Sequence, residues 1–117
     1  KAIRRQRQMC IRDRYNMKLL LSPLAADDLH SIHSYISEEL DNPSAAGRLI
    51  KDIVKAYKQL KDTPLIGSLL DAKINIKTDF RYLVCRGYMI FYKVDGNAVY
   101  IYRIINGRRD YCRILFR

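Results

Sequence analysis

Arginine and tyrosine crowd the last third of this 117-residue chain, and they are the side chains with chemistry to offer. Arg81, Arg86, Arg103, Arg108 and Arg109 fall on or beside runs of strand-forming residues, and Tyr82, Tyr88, Tyr92, Tyr100, Tyr102 and Tyr111 interleave with them. Guanidinium forks bind phosphate or carboxylate through paired hydrogen bonds, and aromatic faces stack on bases. A metal-free ribonuclease would use such arginines to stabilise a charged transition state, with Tyr or Lys moving protons. The same pattern also describes a sheet whose rings form core and whose arginines form the rim. Side chains alternate along a strand, so at least half of those rings should be core. Spacing alone leaves both readings open.

Other chemistries find little support. His30 and His33 share one side of a helical pattern, but no third ligand accompanies them. The chain carries no phosphate-binding G-x-x-x-x-G-K, no G-x-G-x-x-G and no G-x-S-x-G. Cys10, Cys85 and Cys112 are odd in number and lack C-x-x-C spacing, which argues against a disulfide framework or a zinc site. No metal and no cofactor are expected. A reducing, cytoplasmic setting is the simplest expectation, with Cys85 as a small core residue. Apolar runs reach only a few residues, well under the ~20 that cross a bilayer, and the N-terminal region lacks the apolar stretch of a secretory signal.

The net charge is +10, unevenly spread. Residues 1–16 hold six basic groups and one acid, residues 17–78 hold eight of each, and residues 79–117 hold eight basic and three acidic. A basic C-terminal third suits an anionic partner, although dispersed Lys and Arg also serve solubility. At 49% apolar and 29% charged, the composition is that of a globular domain.

The elements that would position these groups follow from periodicity. Residues 1–16 have none. The run MCIRDR within them resembles a translated sequencing-adapter read, which would place the native start at Met17. The alternative is a basic arm for nucleic acid. Residues 18–22 (KLLLS) read as a strand. Ser22-Pro23 then caps a helix with Ala25, Leu29, Ile32, Ile36 and Leu40 on its apolar face, and Asp27 and Asp28 favoured by the dipole near its start. Asp41-Asn42-Pro43 ends that helix. Ser44 can cap a second, with Ala46, Leu49, Ile53, Tyr57 and Leu60 in a stripe, ended by Asp62-Thr63-Pro64. Residues 65–78 read as irregular. Residues 80–85, 88–94 and 99–105 read as strands, separated by Gly87 and by Asp95-Gly96-Asn97; Asn106-Gly107 closes the last, and residues 108–116 suit a short helix. The expected class is α+β, ordered β-α-α-β-β-β: a helix hairpin on a small, mainly antiparallel sheet with a short C-terminal helix.

Residues 81–116 also resemble the C-terminal half of the RelE/ParE toxin superfamily of bacterial type II toxin–antitoxin systems. The carrying pieces are Arg81-Tyr82-Leu83-Val84, the strand Tyr88-Met89-Ile90-Phe91-Tyr92, and Val99 to Ile105 running into Gly107-Arg108-Arg109-Asp110. The opening Leu21-Ser22-Pro23-Leu24-Ala25, with Leu29, Ile32, Tyr35 and Ile36, is similar to the family's first strand and helix. The resemblance spans residues 17–117 and implies the same β-α-α-β-β-β fold. It is nearer the ParE-like branch, which commonly reads L-H-G-R-R-D where this chain has Ile105 to Asp110 with Asn106 in place of histidine. It implies a growth-inhibiting toxin that binds and poisons DNA gyrase and is neutralised by the acidic tail of a cognate antitoxin. On this resemblance target binding falls to Arg103, Asn106, Arg108, Arg109, Asp110 and Tyr111, and antitoxin binding to Leu29, Ile36, Tyr57, Arg81 and Arg86. The alternatives are an inactive superfamily member, or a RelE-type endoribonuclease that cuts mRNA on the ribosome through Arg81, Arg109 and Tyr111. Met89 stands where RelE-type sequences have arginine, and no lysine pair precedes Gly87.

Overall fold

The computed structural model describes residues 17–74 and 76–116; the proposed extension, residues 1–16 with Cys10, lies outside them. Strand β1 (Lys18–Leu21) leads through Ser22 into helix α1 (Pro23–Ser34), whose first turn the Ser22 hydroxyl caps by accepting from the Ala25 N–H at 3.0 Å. The regular helix is shorter than its apolar pattern implies. Residues Tyr35–Glu39 widen into a π-helical turn, and the end of that turn carries Leu40 to the surface at 56% exposure. Nor do Asp27 and Asp28 lie in the first turn of α1. Helix α2 (Pro43–Lys58) is capped by Asn42, whose side-chain oxygen accepts from Ala45 N–H at 3.1 Å, and not by Ser44. Pro43 sets the reason: its fixed φ suits the first helical position, so the cap falls on the residue just before it, two before Ser44.

Residues 65–78 hold more structure than expected. They form a two-residue strand β2 (Ser68–Leu69) and a 3-10 turn over Leu70–Ala72; ahead of them another 3-10 turn (Gln59–Lys61) closes α2. Strands β3 (Arg81–Cys85), β4 (Tyr88–Asp95) and β5 (Ala98–Asn106) form a meander, and helix α3 (Tyr111–Leu115) follows with Asp110 as its cap. Arg86 (φ 51°) and Gly87 (φ 86°) make the two-residue β3–β4 turn, a geometry that matches strand twist.

The described sheet has five strands in the order β1-β5-β4-β3-β2. β1 lies parallel to β5, pairing Lys18 with Ala98 and Leu21 with Ile101; the other pairs are antiparallel. Both sheet faces are covered. One packs Ile90, Tyr92, Val99, Ile101 and Ile104 against Ala25, Ile32, Leu49, Ile53, Tyr57 and Leu60 of the helical layer. The other packs Met89, Phe91 and Ile105 against Leu70, Phe80 and the partly buried face of α3. Residues 89 and 91 go one way and 90 and 92 the other, as a pleated strand requires.

Candidate functional site

β5 is longer than its neighbour β1. Beyond Ile101 it has no β1 partner, because the chain has already turned at Ser22 into α1. A register shift beside Tyr92 leaves Tyr102 as an extra residue in β5, since Tyr92 faces Ile101 while Phe91 faces Arg103. The bulge aims Arg103 toward the uncovered edge. Asp28 meets it there. The carboxylate accepts from Arg103 Nε at 2.8 Å, from Arg103 Nη2 at 2.9 Å, and from the Ile104 backbone N–H at 2.9 Å. One side chain thus supplies the acceptor a further strand would have supplied. The pair is largely buried, with side-chain exposures of 21% for Arg103 and 14% for Asp28. Hydrogen bonding to Asp28 raises the Arg103 guanidinium above its usual value, so it stays charged.

After β5 the backbone turns sharply. The Asn106 side-chain oxygen accepts from Arg108 N–H at 2.9 Å and its carbonyl from Arg109 N–H at 3.0 Å. This Asx turn leaves Arg108 and Arg109 exposed and leads to Asp110, whose oxygen accepts from Arg113 N–H at 3.3 Å. Two open hollows meet at this end of the molecule. One, of about 690 Å³, is lined by Leu24, Arg103, Arg109, Asp110, Arg113 and Ile114. The other, of about 460 Å³, lies between the π-helical turn and the strand ends and includes Tyr35, Tyr88, Asn106, Arg108 and Arg109. Arg109 belongs to both.

The residues assigned to target binding therefore converge at one end, though not all in one role. Arg108, Arg109 and Asp110 are exposed there, Asn106 shapes the turn and Arg103 is held by Asp28. Tyr111 packs its ring on Phe91 at 5.3 Å, as part of the second core. The residues assigned to antitoxin binding do not form one surface. Tyr57 is buried in the helix-side core, with its phenol raised by burial, and offers nothing to a partner. Leu29 and Ile36 pack partly buried against that core. The helical stripe faces the sheet. Arg86 makes an exposed ion pair with Asp52 at 2.8 Å. The Arg81 guanidinium donates to the carbonyls of Leu65 (3.3 Å) and Gly67 (2.8 Å), pinning the loop before β2.

The trio Arg81, Arg109 and Tyr111 is not brought together. Arg81 begins β3, while the end of β5 lies level with Cys85, at the other end of that strand. Sequence reasoning missed Asp28 as the partner of Arg103, and also Leu24, Tyr35 and Arg113 as lining residues. Arg113 carried a usable signal, since it stands four residues after Arg109 with a helix expected there. His30 and His33 are exposed. Among the described residues no three His, Cys, Asp or Glu could share a metal, and no helix is long and apolar enough to cross a membrane.

The family model described as ParE toxin of type II toxin-antitoxin system, parDE, matches residues 19–111. The chain belongs to the ParE toxin family. It lies within the RelE/ParE superfamily, on the ParE-like side. Among solved structures it is similar to a chain described as "Chromosomal ParDE TA system from P. aeruginosa", with a TM-score of 0.66 at 24% identity over 79% of this chain and 97% of that one. That likeness bears on the fold alone. A search of curated proteins finds no match. The α+β fold and the toxin assignment read from the residues both stand.

Proposed function

We propose that this ParE-family chain is a growth-inhibiting toxin that acts by binding DNA gyrase, without bond-cleaving chemistry of its own, and is neutralised by a cognate antitoxin with an acidic tail. The setting of that action is the bacterial cytoplasm. The observation that carries the reading is the exposed Arg108-Arg109 pair, raised on the Asn106 turn beside the Arg103–Asp28 bridge. Exposed guanidiniums on a braced turn are free to engage carboxylate or phosphate on a large partner. A ribonuclease built on Arg81, Arg109 and Tyr111 gains no support from the geometry. Arg81 is occupied by two carbonyls, and Tyr111 is occupied by Phe91.

The test is induction in bacteria with the early response read directly. A gyrase poison is expected to raise the SOS response and produce filaments before translation slows. Cut mRNA with arrested translation would instead replace gyrase with the ribosome. In purified form, the chain is expected to block supercoiling by gyrase. The Arg108→Ala, Arg109→Ala double variant is expected to keep its fold and lose most of this inhibition. Co-expression with the adjacent antitoxin gene should restore growth and give a complex that co-purifies; absence of both effects would remove the antitoxin from the proposal.

A further inference from the structure

We infer that the arginine-lined trough at the open end of β5 binds the sugar–phosphate backbone of DNA, an inference that rests on the same surface as the gyrase reading and names what it touches. The two hollows adjoin through Arg109 and together run from Leu24, at the start of α1, past Arg113, Arg103 and Arg109 to Arg108 and Tyr35. Its positive charge comes from different elements: Arg103 from β5, Arg108 and Arg109 from the turn, Arg113 from α3. Among the described residues Arg108, Arg109 and Arg113 have no salt-bridge partner, and Arg103 is the one already balanced. Asp110 is the acid on the α3 side, and one of its oxygens caps that helix.

Three features favour a nucleic-acid strand over an acidic peptide. The trough is open and extended, which suits a rod of evenly spaced charges better than single inserted carboxylates. An extended peptide would bind here by adding to the β5 edge through main-chain hydrogen bonds. Asp28 already holds the Ile104 N–H that such a strand would need. The second hollow also offers the rings of Tyr35 and Tyr88 beside Arg108, apolar faces suited to sugars and bases.

The experiment is fluorescence anisotropy of a labelled 20-base-pair duplex against the full chain at a series of salt concentrations. Each phosphate neutralised contributes about −0.9 to the slope of log affinity against log salt. The Arg108→Ala, Arg109→Ala, Arg113→Ala variant is expected to lose between two and three units of that slope and at least tenfold in affinity at low salt. The Lys51→Ala, Lys55→Ala, Lys58→Ala variant removes the same charge from the exposed face of α2 and is expected to keep most of both. Should the first triple variant fold poorly, Arg108→Gln with Arg109→Gln is expected to lose about two units. Equal losses in the arginine and lysine variants would overturn the inference, because attraction would then follow net charge. So would a glutamate-rich 20-residue peptide that binds more tightly than the duplex through the same arginines. Gyrase inhibition, measured on the same proteins, separates the two readings. Arginine-dependent DNA binding without inhibition supports this inference and removes gyrase. Inhibition by a chain whose salt slope ignores the arginines leaves gyrase and removes this inference.

Discussion

Two side chains join distant parts of the chain through fully used hydrogen-bonding groups. Tyr92 is completely buried, and its hydroxyl donates to the Pro64 carbonyl at 2.8 Å while accepting from the Gly67 N–H at 2.9 Å. Tyr92→Phe keeps the ring but strands a buried donor and an acceptor. The expected loss is about 1–3 kcal/mol, read by urea unfolding. Burial also holds the Tyr92 phenol above its ordinary value. The folded chain therefore keeps this proton at a pH where the unfolded chain releases it. The stabilisation is complete below about pH 10 and is lost as pH rises through the higher folded value. Stability should fall above about pH 10, and less steeply in Tyr92→Phe, with Tyr57 and the Cys85 thiol, both also raised by burial, contributing in the same direction. Asp28→Asn retains an acceptor for Ile104 but not for the guanidinium fork. It should cost about 2 kcal/mol by the same measurement. Nothing in the sequence couples Asp28 to Arg103, which lie 75 positions apart. Burial of a charge pair is a tertiary fact, and Asp28 had a sufficient local explanation as an early helical acid.

At the level of elements, the helices and the meander were legible because each carries its own period. The stripe of α2, from Ala46 through Tyr57, can satisfy only one face, and that face meets the sheet. Three things were not legible. β2 has two residues, too few for any alternation to show. The bulge at Tyr102 sits inside an unbroken β-forming run and has no local mark. The π-helical turn continues an apolar pattern that would equally suit a regular helix. The assignment of the α2 cap is directly testable. Asn42→Ala should cost about 1 kcal/mol and Ser44→Ala a few tenths, a contrast visible in paired thermal melts. The loop before β2 gives a sterically sharper case. A Cβ on Gly67 would stand 2.5 Å from the Tyr92 hydroxyl oxygen and 2.7 Å from the Tyr82 carbonyl. Gly67→Ala should therefore destabilise by about 1–3 kcal/mol, and the Tyr92→Phe background should not relieve the backbone clash.

Across the whole molecule, the exposed Arg108 and Arg109 side chains stand apart from the groups that carry stability. Arg108 and Arg109 are exposed, so the double alanine variant should shift unfolding by less than about 0.5 kcal/mol while growth inhibition falls sharply. A folded double variant that remains fully toxic would remove the turn from target contact. The parallel pairing of Lys18–Leu21 with residues 98–101 carries a consequence for biosynthesis. β5 is the strand on which both β1 and β4 lean, and it is made after both of them. A ribosome that has finished both helices has still produced a chain whose first strand has nowhere to dock. The sheet can close only once β5 has been made, so products terminated before it should be harmless. A chain stopped after Gly96 should stay protease-sensitive and permit normal growth, whereas one stopped after Asn106 should recover the sheet without the arginine turn. Dose control of this toxin then begins with the synthesis of β5, before any partner meets it.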